Sequence, residues 1–117
     1  FRVGVVGAAS CSEETYDAAY VIGKNIAGLS AVLICGGLGG VMEGAAKGAC
    51  EQGGLTIGIL PSSNPGDANP YITFPLPTGL GHARNILIIQ ASQAVVAIGG
   101  ETGTLSEIAI ALKIGVP

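Results

Sequence analysis

The sequence predicts an α/β protein, a doubly wound, Rossmann-like parallel sheet in a single domain spanning residues 1–117. Three observations carry that expectation. Short apolar runs of strand length alternate with segments of helical period. Those runs do not alternate in polarity, so they are buried on both faces, as parallel strands are. Two of the strand-to-helix turns are rich in glycine, Gly36-Gly37-Leu38-Gly39-Gly40 and Gly99-Gly100-Glu101-Thr102-Gly103-Thr104. Strands separated by helices pair in parallel through crossovers, and such sheets take ligands at the carboxyl ends of their strands, near the switch in strand order.

Val3 to Val6 reads as the first strand, closed by Gly7-Ala8-Ala9. Ser10-Cys11-Ser12-Glu13 has capping-box spacing, in which Ser10 and Glu13 satisfy each other's amides. The helix that follows carries Ala19, Ile22, Ile26 and Leu29 at helical intervals. Ala31 to Cys35 is a second strand, and a helix then starts near Val41, with Val41, Ala45 and Ala49 on one face. Thr56 to Leu60 is a third strand. From Pro61 to Gly79 five of the six prolines occur, so no regular element is expected there; a connection of this length is often a lid or a binding loop. His82 to Ser92 reads as a helix, Ala94 to Ile98 as a strand and Thr104 to Lys113 as a last helix. In that helix Leu105, Ile108, Ala109 and Leu112 are the expected sheet-facing stripe, yet Ile110, Ala111 and Ile114 are apolar too. A helix apolar all round must be covered twice, by a homodimer partner or by a following segment. Gly115-Val116-Pro117 reads as the approach to a further strand, and the chain opens on Phe1 with no methionine, so flanking segments are expected to be missing.

Composition narrows the function classes. Only 11% of the residues are charged, against about 25% in an average domain, while 49% are hydrophobic, so the chain is not disordered. The net charge is −3, and the five bases (Arg2, Lys24, Lys47, Arg84 and Lys113) are scattered, which leaves no basic stripe for nucleic acid. Cys11, Cys35 and Cys50 form neither a disulfide framework nor a zinc pattern, so no metal is expected and a reducing cytoplasm is the natural setting. The longest uncharged run, Asn25 to Met42, contains five glycines and does not suit a membrane span. No targeting segment and no membrane partner are read.

Both glycine turns sit where bare backbone amides and a helix N-terminus receive an anion. The alternative is that the glycines merely permit tight turns; two such turns at one sheet edge favour a phosphate site. The dinucleotide fingerprint is not met, because Met42 stands where a third glycine or alanine belongs, and no lysine follows either turn as a P-loop requires. Arg84, one of two arginines, begins a helix, where the macrodipole disfavours a cation, so it either faces a ligand anion or pairs with a surface acid. Glu107 follows Thr104 by three residues and is either chemical or half of a second capping box. Asn85 orients a sugar hydroxyl or caps a turn. His82 is expected in solvent, and Tyr71 and Phe74 either stack on a base or pack under the proline loop, the latter being favoured.

Three segments together resemble the LOG (lonely guy) family: Gly99-Gly100-Glu101-Thr102-Gly103-Thr104-Leu105-Ser106-Glu107, Gly81-His82-Ala83-Arg84-Asn85, and Gly36-Gly37-Leu38-Gly39-Gly40-Val41-Met42. The resemblance spans nearly the whole chain. LOG-type enzymes, often mislabelled lysine decarboxylases, cleave the N-glycosidic bond of cytokinin riboside 5′-monophosphates. The family's catalytic arginine and glutamate would fall on Arg84 and Glu107. A carboxylate can stabilise an oxocarbenium-like sugar while positioning water, and an arginine can hold phosphate oxygens. No lysine lies in either turn to form a Schiff base, which removes the decarboxylase. Two features differ: Ile98 stands where the family has proline, and one extra residue separates Gly100 from Gly103. Both, together with Ala83-Arg84-Asn85, are similar to a sister branch that includes molybdenum-cofactor carrier proteins, associated with binding rather than turnover.

The resulting expectation is a protein that binds a phosphorylated nucleotide-like or molybdopterin-type ligand as a carrier, with a 5′-monophosphate phosphoribohydrolase as the alternative and a structural dimer as a third. The expected binding residues are Gly7, Ala8 and Ser10 in the first turn, and Gly36, Gly37, Gly39, Gly40 and Met42 in the second. Asn85 and the turn residues Gly99, Gly100, Glu101, Thr102, Gly103 and Thr104 complete the set. No resident cofactor is expected, and the expected partners are a small phosphorylated ligand and a second copy of the chain.

Overall fold

The computed structural model describes residues 1–99 and 102–117, and of residues 102–107 only the backbone path. Strands β1 (Arg2–Gly7), β2 (Val32–Cys35), β3 (Thr56–Leu60), β4 (Phe74–Pro77) and β5 (Ala94–Ile98) alternate with helices α1 (Glu13–Gly28), α2 (Val41–Glu51), α3 (Asn85–Ala91) and α4 (Thr102–Ile114). Consecutive strands β3 and β4 are joined by a loop rather than an α-helix. The five strands form one sheet in the order β4-β3-β2-β1-β5, and every pairing is parallel. The chain is thus the single Rossmann-like α/β domain that the apolar runs predict, with the order reversing at β1.

The two faces of the sheet make two cores. On one, Val5, Leu33 and Cys35 pack against Ala19 and Ile26 of α1 and Val41, Ala45 and Ala49 of α2. On the other, Val6, Ile34 and Ile59 pack against Ile88 and Ile89 of α3 and Ala111 of α4. Neighbouring residues of one strand serve opposite cores, which is why β1 and β2 read as unbroken apolar runs. Helices α1 and α2 touch backbone to backbone: a Cβ on Gly23 would lie 1.9 Å from the Ala45 carbonyl oxygen, and one on Gly48 2.0 Å from that of Tyr20.

Four expectations are corrected. The cap of α1 is Ser12, not Ser10: Ser12 holds the extended backbone of an N-cap, and its Oγ accepts from the Thr15 amide at 3.2 Å. Ser10 lies exposed in the turn before it. The proline segment does contain a regular element, β4. Thr78 N donates to Leu60 O at 3.1 Å, and Gly58 and Leu60 of β3 lie opposite Pro75 and Pro77. In that parallel register the nitrogens of both prolines face the free edge, where no donor is required. The expected helix over 82–92 is split into a 3-10 turn, Gly81–Arg84, and α3. In α4 the sheet side is Ala111 and Ile110, whereas Leu112 is 77% exposed and Ala109 is exposed. After α4 the chain returns to the outer edge of β5, where Val95 N donates to Pro117 O at 2.7 Å.

Candidate functional site

All five strands run the same way, so the turns leaving β2, β1 and β5 lie side by side at one edge of the sheet. The first two are joined directly. Val41 N, the first amide of α2, donates to Ala8 O at 3.0 Å. Gly40 before it holds φ 61° and ψ −128°, and a Cβ there would lie 2.3 Å from Ala8 O. An L side chain fits neither that conformation nor that space. A Cβ on Gly7 would likewise run into Val41, and one on Gly39 would approach Ala9 O to 3.1 Å. Gly99 leaves β5 beside the first turn of α1, with Thr15 Cγ2 4.0 Å from its missing Cβ. The first turn thereby lies between the other two, with Gly7 paired in register with Ile98.

Arg84 comes to this edge from the opposite face. The 3-10 turn aims its side chain across the end of β2, and the guanidinium rests on Gly36. A Cβ on Gly36 would lie 2.7 Å from Arg84 Nη2 and 2.6 Å from Met42 Sδ. Gly36 therefore makes the berth for the guanidinium, with the Met42 thioether beside it. Arg84 is 7% exposed and Asn85 5%, and Arg84 Nη1 donates to Asn85 Oδ1. Burying a guanidinium costs free energy unless charges or hydrogen bonds compensate it, and the Asn85 amide oxygen is one such partner. The surface-arginine alternative is removed by that burial.

The proline loop reaches the second turn through Asn69, which the sequence reading missed. Asn69 is 8% exposed; its backbone amide donates to Gly37 O at 2.9 Å, and its Nδ2 donates to Leu38 O at 2.9 Å and to Gly37 O at 3.3 Å. Its Oδ1 accepts from Tyr71 N at 3.0 Å. The available signal was Asn69-Pro70, which marks a turn and says nothing of a contact thirty residues back. Tyr16 Oη donates to Glu43 Oε2 at 3.0 Å, tying α1 to the first turn of α2. The Tyr16 phenol is pushed up to about 12, first by burial and then by its hydrogen bond to Glu43, with Tyr71 and Cys11 close enough to add. His82 is exposed, as expected. Phe74 does not pack under the loop: it is 50% exposed on edge strand β4, while Tyr71 is half-buried.

Gly7, Ala8, Gly36, Gly37, Gly39, Gly40, Met42, Arg84, Asn85 and Gly99 are thus gathered along one edge, with Ser10 in the exposed turn beside them. Gly100 and Glu101 lie outside the described residues, as do the side chains of Thr102, Thr104 and Glu107; Gly103 is described only as part of the α4 backbone. Helix α4 spans Thr102–Ile114, so Thr104 lies within its first turn, and the expected Thr104–Glu107 capping box rests on side chains outside the described residues.

A doubly wound parallel sheet, reversing at β1, with glycine turns and a buried arginine at its carboxyl edge, defines a Rossmann-like domain of the kind that takes ligands at strand ends. The chain belongs to the SLOG cluster4 family, whose model matches residues 1–117. It is 51% identical over 114 residues to an uncharacterized protein of Archaeoglobus fulgidus, covering 97% of this chain and 75% of that one. The molybdenum cofactor binding protein of the phototrophic bacterium Rippkaea orientalis superposes with a TM-score of 0.96 at 42% identity, over 99% of this chain and 72% of that one. The molybdenum cofactor carrier protein of Chlamydomonas reinhardtii does so with a TM-score of 0.91 at 39% identity, over 99% and 73%. The sister branch to which Ile98 and the longer last turn pointed is therefore where the similar structures lie.

Proposed function

We propose that this chain binds a phosphorylated pterin of the molybdopterin type, or a nucleotide of like shape, across the glycine turns, and carries it without turning it over. The observation that carries the proposal is Arg84: a buried guanidinium seated on Gly36 at the carboxyl edge, in a chain about 40% identical to molybdenum cofactor binding and carrier proteins. Charge-assisted hydrogen bonds from arginine and backbone amides at helix N-termini are two devices by which proteins hold phosphate. In this role Arg84 binds the phosphate, Asn85 orients the guanidinium through Nη1, and the Gly36–Gly40 and Gly99–Thr104 turns supply amides.

The test is gel filtration of the protein with molybdenum cofactor, followed by pterin fluorescence in the protein fraction. Co-elution that is lost in Arg84→Ala supports carriage. Elution of all the pterin at the small-molecule volume overturns it.

A second reading, hydrolysis of a nucleoside 5′-monophosphate, is supported by the burial of Arg84 at the carboxyl edge, the residue on which the LOG resemblance sets its catalytic arginine. In it Glu107 positions water and stabilises the sugar cation. Chromatography of 5′-monophosphates incubated with the protein decides: free base from the wild type and none from Glu107→Gln establishes hydrolysis. Self-association is a further proposal, supported by Leu112 at 77% and Ile114 at 43% exposure on the outer side of α4. Leu112→Asp should then give monomers in sedimentation, and an unchanged dimer would refute that face.

A further inference from the structure

We infer that Asn69 is a positioning residue of the phosphate site: by holding the carbonyls of Gly37 and Leu38, it turns the amides of Leu38 and Gly39 towards the anion. The inference rests on the proposal that a phosphorylated ligand binds at the Gly36–Gly40 turn.

In a trans peptide the C=O and the N–H point in opposite directions, and no peptide of the described residues is cis. The Gly37 oxygen shares its peptide with the Leu38 N–H, and the Leu38 oxygen shares its peptide with the Gly39 N–H. Asn69 draws both oxygens to itself, through its own N–H at 2.9 Å and through Nδ2 at 2.9 Å and 3.3 Å. Both N–H groups are consequently turned away from the proline loop. Among the described residues neither amide meets an acceptor within the protein.

The glycines loosen this orientation. Flipping the first peptide changes ψ of Gly37 and φ of Leu38, and flipping the second changes ψ of Leu38 and φ of Gly39; the two glycines tolerate either outcome, so within the turn only Leu38 resists a flip. A flipped turn would set carbonyl oxygens where the anion belongs and repel it. Asn69 adds to the resistance of Leu38 from outside the turn, because either flip would break its contacts with the Gly37 and Leu38 carbonyls. Its amide is itself oriented by the Tyr71 N–H, which requires Oδ1 on that side and leaves Nδ2 for the carbonyls. The Pro61–Gly79 segment is therefore a buttress behind the glycine turn rather than a lid over it, and the ligand approaches from the side opposite Asn69.

The test uses the 15N-labelled chain titrated with inorganic phosphate and with adenosine 5′-monophosphate, with adenosine as the phosphate-free control. The Leu38 and Gly39 amide protons should move downfield with both phosphates and stay in place with adenosine. Asn69→Asp keeps the acceptor for Tyr71 N but replaces the donors with a carboxylate facing two carbonyls. That variant should lose the two shifts and bind the monophosphate at least tenfold more weakly, with adenosine binding unchanged and the Arg84 side-chain shift retained. Movement elsewhere in the site with Leu38 and Gly39 unmoved overturns the inference and leaves the proposed function standing. Monophosphate binding by Asn69→Asp equal to that of the wild type overturns it too. If no residue of either glycine turn responds to any phosphate, the proposed function itself fails and takes this inference with it. The wild-type titration alone decides should Asn69→Asp fold poorly.

Discussion

Helices α1 and α2 leave neighbouring strands at the same edge, yet their N-termini are finished in opposite ways. At α1 the chain closes the end with its own side chains: Ser12 Oγ accepts from Thr15 N, and Glu13 and Glu14 occupy the first turn. An anion approaching there would meet two carboxylates. At α2 the cap is Gly40, with no side-chain hydrogen bond, and the one acid of the first turn, Glu43, is engaged by Tyr16 Oη. Arg84 lies across the turn that leads into it. One end is capped by a side chain and negative; the other has no side-chain cap and lies beside a cation. Under the proposed function, fold position alone does not make the ligand site; what the first turn does with its own amides decides.

Perturbing each end should break that contrast in a different way. The largest effect is expected from Gly40→Ala, because the alanine must hold positive φ and meet Ala8 O. Strain of this kind costs about 1–3 kcal/mol, and the collision adds to it. Chemical denaturation should show the loss, together with lost monophosphate binding. Arg84→Ala should remove a charge-assisted hydrogen bond worth about 1.5–3 kcal/mol of binding. Calorimetry with adenosine 5′-monophosphate should read that as a fall in affinity of roughly ten- to a hundredfold, with adenosine unaffected. Ser12→Ala sharpens the contrast from the other side: about 1 kcal/mol of stability is lost with its cap, and ligand affinity is unchanged.

The smallest effect concerns the link between the two ends. The Tyr16 phenol is held up to about 12 in the folded chain from the ordinary 10.0, so folding favours its neutral form. The stabilisation is fully present below pH 10 and disappears as pH rises towards about 12. Tyr16→Phe should therefore be less stable than the wild type at pH 8, by the ~1 kcal/mol of one hydrogen bond, and the gap should close across that alkaline window. A gap independent of pH would mean that the Tyr16–Glu43 bond contributes nothing.

Much of this was legible in the chain itself. Strands β3 and β5 are found where the apolar runs placed them, although β5 is only half-buried along most of its length. β4 was hidden by Pro75 and Pro77, since nothing local reveals which edge of a strand their nitrogens will face. The α1 cap was misplaced by two residues because Ser10 and Ser12 both offer a hydroxyl before Glu13 and Glu14, and only the backbone angles choose between them. Helix α4, apolar on every side, offered more than one stripe, and packing turned Ala111 rather than the expected Leu112 to the sheet. Arg84 and the glycine turns stood out because their residue types are costly where they occur. Asn69 did not, because its role exists only in contacts with Gly37 and Leu38, some thirty residues away.

The most direct measurement is a crystal structure of the protein with adenosine 5′-monophosphate or molybdenum cofactor bound. The phosphate should lie within hydrogen-bond distance of the Gly36–Gly40 amides and the Arg84 guanidinium, on the side of the turn opposite Asn69. A phosphate seated at the capped N-terminus of α1, or away from the carboxyl edge altogether, would contradict the contrast between the two ends.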